Sequence, residues 1–509
     1  MQESRTENAK RNIFWGVIEK IVLMLLPFAT RTVMIKTLGA EFLGLNGLFS
    51  SILAVLSITE LGFSSAIAFS MYKPIAENDN DLLCALLNTY RKIYRVVGLI
   101  ILSVGLILLP FLSHLIRGNP PESVNVYILY LIYLVNTVIG YFLYSYKGVL
   151  FNAHQRSDIT SKRATVINAV SIIFQLTVLL SFKNYYAYVV VIPFTTVVTN
   201  FTNAYLAKKM YPQVLCHGNI SKEMKGEIKK RVTGLLSYKT YGVIFNSVDT
   251  IVISSFLGLV PLAIYSNYYY IQTAIISFLS ILTSSITAGI GNKMICCDKK
   301  ENYNDFKKIT YVNGWIVSWC TVCLFCLYQH FITIWVGKEL AMPFETMILM
   351  VLYFFIPRVT TITFTYREAA GLWWEDRYRP LISAVVNLTL NLILVRHIGL
   401  NGVVISTLVC SVLINIPWGS YILFKKYFER TAKDYYLRIL FYTIVTTIVA
   451  TGMYMLLSLL PGQGIGAFAV KCMACLILPN VAFYGVYKRL PEFEYLKGLI
   501  SGILKKRKR

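Results

Sequence analysis

Ionisable residues placed inside long apolar runs are where this sequence concentrates its chemistry. Arg31, in the first run, and Glu60, in the second, each cost several kcal/mol in hydrocarbon unless they face protein or water. Lys20 stands eleven residues before Arg31. At about 100° per residue that spacing returns to within about 20° of one helix face, about 16 Å along the axis. The first apolar helix therefore presents two cations on one face at different depths. Further along the chain the cations Lys239 and Arg358 also lie inside apolar runs, and Glu19, Glu60 and Asp249 are the intramembrane acids.

Cations so placed suit a phosphate-rich anion, because a guanidinium grips phosphate oxygens bidentately and an ammonium acts as a point charge. Each also has a purely structural reading. Lys20 and Lys239 lie toward the ends of their helices, where they can snorkel to the interface, as can Lys36 and Lys471. Arg31 is deeper. Arg358 follows Pro357, where a kink frees a backbone carbonyl for the guanidinium. The acids either balance these cations or, in one case, take up a proton or sodium ion, since burial raises a carboxyl pKa. Pro27 gives the first helix a bend point.

Metal and redox chemistry find less support. The pair Cys472 and Cys475 forms a CxxC, and Cys320, Cys323 and Cys326 also fall in an apolar run. There is no second CxxC and no histidine at ligand spacing, so we expect packing thiols, no metal site, no cofactor and no catalytic residue.

The elements that must position these groups are membrane spans. Of the 509 residues 56% are apolar and 15% charged, a composition of membrane proteins rather than of soluble domains. Windows of about 19 residues mark about fourteen candidate helices, at 12–37, 46–70, 94–115, 125–148, 164–182, 186–206, 233–257, 262–289, 309–334, 345–366, 380–397, 401–424, 438–460 and 466–487. The first is too long for a signal peptide and lacks a small-residue cleavage site, so it is expected to stay as an uncleaved anchor. Lys and Arg crowd the two termini and every second connection, whereas the opposite loops hold only Arg117, Lys183, Lys338 and Arg396. Cytoplasmic loops retain such residues, which predicts a multi-pass protein of the cytoplasmic membrane with both termini inside.

That distribution also disposes of nucleic acid as the reason for the net charge of +24, because no basic platform interleaved with aromatics appears. The closing KKRKR follows the amphipathic PEFEYLKGLISGIL, and either rests on anionic membrane lipid or is solvated. NDNDLLCALLNTYRKIY, after the second span, is expected to lie along the membrane surface. The outer loops are too short to house a domain.

The clearest local feature is the hairpin RTVMIKTLGAEFLGLNGLFSSILAVLSITELGFSSAIAFSMYK at residues 31–73. Shifted by 219 positions, Leu38, Gly39, Leu43, Gly44 and Leu45 fall on Leu257, Gly258, Leu262, Ala263 and Ile264, and Lys20 falls on Lys239. Shifted by 220, Tyr146 and Lys147 fall on Tyr366 and Arg367. The expected organisation is an N-terminal six-helix bundle (1–206), a cytoplasmic linker (207–232), a second six-helix bundle (233–430), two additional spans (431–490) and a basic tail (491–509). Units of six spans enter the membrane in the same direction, so this is an all-α parallel-repeat plan with a cavity between the bundles.

The hairpin, the fourteen-span layout and the duplicated units resemble the polysaccharide transporter, or Wzx-type oligosaccharide flippase, family of the multidrug/oligosaccharidyl-lipid/polysaccharide (MOP) exporter superfamily. The resemblance implies a MATE-like fold and a flippase of undecaprenyl-pyrophosphate-linked oligosaccharide that works by alternating access. Arg31, Arg358, Lys20 and Lys239 would bind the pyrophosphate. Glu19, Glu60 and Asp249 would balance charge or couple transport to H+ or Na+. A cation-coupled multidrug exporter of the same superfamily is the nearest alternative, though its substrates favour an acidic cavity. A membrane glycosyltransferase or glycan polymerase fits the short outer loops less well.

Overall fold

A computed structural model gives the structure of the chain and describes residues 5–60, 62–460, 462 and 464–498. Within helices, the side chains of residues 5–10, 59, 234–241, 244–246, 282, 285 and 288 are outside that description. Helices form two compact units, Met1–Ala263 and Ile264–Arg509, and no strand occurs among the described residues.

The first unit holds α1 (Arg5–Thr37), α2 (Ala40–Leu56), α3 (Phe63–Glu77), α4 (Asn80–Leu108), α5 (Val126–Phe142), α6 (Gly148–Ala153), α7 (Ser157–Phe182), α8 (Tyr185–Met210), α9 (Lys222–Phe256) and the first turn of α10 (Leu259–Cys296). The second holds the rest of α10, α11 (Lys299–Val336), α12 (Phe344–Val359), α13 (Thr361–Ala369), α14 (Arg379–Cys410), α15 (Ile416–Leu423), α16 (Lys433–Ser458) and α17 (Ile465–Tyr487). Helix starts follow local chemistry. Asp79, Asn125, Asn184, Ser221 and Asp298 each accept a backbone N–H from the first turn of the helix they precede, meeting a donor the helix cannot pair itself.

Each of the fourteen expected spans overlaps at least one of these helices, and several run across a break or past a helix end. Nine helical stretches among the described residues are long and apolar enough to cross a membrane, and α5 with the segment through α6 makes a tenth, bent by 49°. The chain is a multi-pass membrane protein. Several spans are broken where hydropathy alone reads them as continuous. The second is interrupted at the short 3-10 turn Ser57–Glu60, between α2 and α3, and the tenth is interrupted at Thr360.

One expectation fails. The segment from Asn80 to Tyr94 does not run along a membrane surface as a separate helix but forms the first turns of α4. Nothing between Asn80 and Leu108 breaks the helix, and Leu83, Leu86, Leu87 and Tyr90 are buried. Residues 211–221, between α8 and α9, lie along these turns. Asn88 Nδ2 donates to the Gly218 carbonyl at 2.8 Å, Lys92 Nζ donates to Asn219 at 3.0 Å, and the Leu215 N–H reaches Cys84 Sγ at 3.1 Å.

The 219-residue repeat is visible as repeated backbone geometry. The N–H groups of Leu38 and Gly39 donate to the Met34 carbonyl at 2.9 and 3.2 Å, and those of Leu257 and Gly258 donate to the Ile253 carbonyl at 2.8 and 3.1 Å. Gly39 has φ +113° and Gly258 φ +102°, conformations that L side chains rarely adopt. A helix starts at the next residue in both cases. The two turns are also neighbours within the first unit: a Cβ on Gly44 would lie 2.3 Å from the Leu259 carbonyl oxygen.

Because that neighbour is backbone rather than a yielding side chain, Gly44→Ala should cost roughly 1–3 kcal/mol and lower the thermal midpoint of the purified protein. Gly140→Ala, on α5 with nothing within 4 Å of the added carbon, should leave the midpoint unchanged or raise it.

Candidate functional site

The break between α2 and α3 places Glu60 against the tyrosines of α4 and α5. Tyr94 donates its hydroxyl to Glu60 Oε1, Tyr141 donates to Oε2 at 2.7 Å, and Tyr90 donates to the Tyr94 hydroxyl at 2.7 Å. Tyr90 and Tyr94 are four residues apart on one helix face, and all three rings are buried. Both carboxylate oxygens are thereby met by hydroxyls, and Glu60 forms no ion pair among the described residues. The tyrosine partners were not among the residues singled out from the sequence. They lie 34 and 81 positions from Glu60, and an aromatic ring in an apolar run reads as packing.

A second polar cluster lies beside Arg31. Asn46 Oδ1 on α2 accepts the Tyr133 hydroxyl at 3.1 Å, Tyr133 and Tyr185 share a hydrogen bond at 3.3 Å, and Tyr185 stacks on Tyr188 at 5.8 Å. Arg31 is half-buried, and its charge acts on the Tyr188 hydroxyl, which Asn46 also meets. The arrangement gives a cation, a carboxamide and several hydroxyls in one apolar bundle, a set able to hold an anionic, hydroxyl-rich group.

The other expected residues are placed as follows. Lys20 is exposed, Glu19 is half-buried within electrostatic reach of Arg163 on α7, and Asp249 on α9 is fully buried. The side chain of Lys239 lies outside the described residues. In the second unit Arg358 is half-buried in the last turn of α12, and Asn313 of α11 donates to the carbonyls of Arg358 and Val359 at 3.1 and 3.3 Å. Thus Glu60 is bonded to one tyrosine cluster of the first unit, and Arg31 acts electrostatically on another.

The second unit contains a buried ionic group that hydropathy windows assign to a loop. Arg379 grips Asp376 through two hydrogen bonds of 2.7 and 2.6 Å, and Arg367 Nη1 lies 3.1 Å from the same carboxylate. All three are less than a tenth exposed. Asn415 accepts from Arg379 and donates to Ser383, and Asn387 donates to Thr407, extending a polar ladder along α14. Gly419 lies so close to Arg367 that a Cβ there would stand 2.5 Å from Nη1. The only sequence signal was the match of Lys147 to Arg367.

At the N-terminal end of the first unit, Asp158 pairs with Arg11 at 3.1 Å and Arg156 at 3.0 Å, and its N–H donates to Asn12. This ties α1 to the start of α7. Burial works to raise the Asp158 pKa, but the hydrogen bond and charge of Arg156 and the charge of Arg11 outweigh it and hold the carboxyl below its ordinary range.

The model of the family described as "Polysaccharide biosynthesis protein" matches residues 9–288. No curated protein matches the sequence. Among solved structures, the chain is similar to the lipid II flippase MurJ in an inward closed conformation, with TM-score 0.62 and 14% identity over 94% of this chain and 99% of that one. It is also similar to an inward-facing multidrug resistance MATE family transporter of the MOP superfamily, with TM-score 0.60 and 16% identity over 79% and 97%. A MOP superfamily transporter from Pyrococcus furiosus, described as having a binding pocket of reversed polarity, gives TM-score 0.54 and 14% identity over 83% and 96%. At such identities the likeness shows the fold.

Two outcomes follow from the ion pairs. The tie through Asp158 is fully present above the ordinary carboxylate pKa and is lost as pH falls through the lowered one. Protection of residues 11–20 from hydrogen exchange, taken relative to the intrinsic rate at each pH, should therefore be flat from pH 7 to 5 and fall below about 4, whereas Asp158→Asn should show lowered protection with no such step. Gly419→Ala should lower thermal stability by driving Arg367 off Asp376, and in an Arg367→Met background the same alanine should cost little.

Proposed function

The chain belongs to the polysaccharide biosynthesis protein family and has the fold of the MOP-superfamily transporters, and from this premise we propose that it is a flippase of undecaprenyl-pyrophosphate-linked oligosaccharide. It carries this lipid from the cytoplasmic to the outer leaflet of the bacterial cytoplasmic membrane by alternating access, with both termini in the cytoplasm. The observation that carries the reading is Arg31 within electrostatic reach of Tyr188, whose hydroxyl belongs to the cluster of Asn46, Tyr133 and Tyr185. A guanidinium inside an apolar bundle, flanked by hydroxyl and carboxamide groups, offers charge to a pyrophosphate and hydrogen bonds to a sugar. Such groups lower the barrier to moving a charged head through hydrocarbon by replacing its water. Arg358 supplies a second cation, and Lys20 and Lys239 serve the cytoplasmic approach. No covalent step is involved. Glu60 and Asp249 take the coupling role with H+ or Na+, and Glu19 balances Arg163.

One observation favours a second reading, cation-coupled multidrug export. Glu60 is satisfied by tyrosines rather than by a cation, so an organic cation would find an acid whose charge is not cancelled. The anionic reading is preferred because the charge of Arg31 acts on Tyr188, within a cluster of hydroxyl and carboxamide groups on α2, α5 and α8.

In vesicles reconstituted with lipid-linked sugar, Arg31→Ala with Arg358→Ala should reduce translocation by about 100-fold, the loss of two charge-assisted bonds. Arg31→Lys should retain part of the rate. Undiminished translocation in the double variant, at equal membrane insertion, would overturn the cationic site. Wild-type vesicles that translocate the lipid-linked sugar but export no cationic dye would exclude the drug-export reading.

A further inference from the structure

We propose that the turn between α13 and α14 is a binding site for the phosphate headgroup of an anionic phospholipid, formed by Arg377 held between the rings of Trp374 and Tyr378. The Arg377 guanidinium carbon stands 4.0 Å from the Trp374 ring centroid and 4.4 Å from that of Tyr378. One donor, Nη1, is spent on the Trp374 carbonyl at 2.6 Å. The remaining guanidinium N–H groups make no hydrogen bond among the described residues, yet none is sealed from solvent. Contact with both rings holds the guanidinium in place, and its remaining N–H groups are the part that can receive a ligand. A planar fork of donors is matched to phosphate oxygens.

The rings themselves indicate what surrounds the turn. Trp374 is 72% exposed and Tyr378 55% exposed, a large apolar surface if water were the neighbour. The turn begins where the apolar stretch Phe344–Ala369 ends and stops where the stretch Arg379–Phe428 begins. It therefore lies at the bilayer boundary, the level at which Trp and Tyr concentrate because one part of each ring system is apolar and the other polar. A cation at that level meets lipid phosphate.

The turn is also braced from beneath. Asp376 is held by Arg367 and Arg379, both buried, and the Leu372 and Gly371 N–H groups donate to the carbonyls of Arg367 and Glu368. Sequence neighbours alternate in role: Asp376 and Arg379 face inward and are buried, whereas Trp374 and Tyr378 are exposed. Little conformational entropy remains to be lost on binding, which favours recognition by a small site. Glu375 is exposed beside Trp374 and is the acid of this turn that is not buried. Its charge opposes that of Arg377 and limits the preference for an anion.

The site is separate from the transported lipid and does not depend on the identity of that substrate. The test uses the full-length protein in bilayers containing either phosphatidylglycerol or phosphatidylcholine brominated on the acyl chain near the glycerol. The fluorescence difference between wild type and Trp374→Phe isolates the one ring. Brominated phosphatidylglycerol should occupy the neighbourhood of Trp374 about five-fold more than phosphatidylcholine, the preference expected of one cation at an anionic surface. Arg377→Gln should bring the two lipids to parity while quenching persists, and Glu375→Gln should widen the preference. Three results would overturn the proposal: no quenching of the difference signal by either lipid, equal quenching by both in the wild type, or displacement of phosphatidylglycerol by a few mole per cent of undecaprenyl pyrophosphate. Unchanged thermal midpoints of the variants separate these results from misfolding.

Discussion

A hydroxyl brought to a carboxylate inside hydrocarbon is the interaction around which the first unit is arranged. Glu60 could not stay charged in an apolar bundle without partners, and Tyr94 and Tyr141 supply them from two helices. Tyrosine suits the task because its ring packs as hydrocarbon while its hydroxyl donates. The consequence reaches the backbone. Glu60 meets α4 and α5 from the short 3-10 turn Ser57–Glu60, where the second span is broken rather than running straight. The neighbouring cluster at Asn46 follows the same rule, with Tyr133 and Tyr185 closing the polar surface next to Arg31.

The second unit meets the same constraint with ions. Asp376 between Arg367 and Arg379 is more expensive to desolvate than a pair of hydroxyls, and such groups are often no more stabilising than apolar packing of equal volume. What the ionic group provides is a fixed turn between α13 and α14. The absence of a side chain at Gly419 leaves room for the Arg367 guanidinium, so the ion pair and the helix packing constrain each other.

Much of the architecture was legible because hydrocarbon imposes length and sign on a sequence. The all-helical, multi-pass plan survives as structure, and so do the Leu-Gly turns 219 residues apart, down to paired hydrogen bonds on Met34 and Ile253. What was not legible has a common cause. Hydropathy windows average over the few residues at which a helix breaks, so the interruptions at Ser57–Glu60 and Thr360 disappear. Partners such as Tyr141 for Glu60, or Asn313 for the end of α12, are joined only by the fold, and nothing local marks them. The start of α4 was misread for the opposite reason: its amphipathic spacing fits a surface helix as well as one buried against protein, and only the tertiary neighbours decide.

The connection between α8 and α9 carries a mechanical meaning. Residues 211–221 are laced to α4 through Cys84, Asn88 and Lys92 and so have no slack. A loose connector would absorb displacement of the helix it feeds, whereas one fastened at successive points passes it on. The beginnings of α4 and α9 then act as one lever, and a push on either is felt at the other without needing any change in the apolar bundle between them.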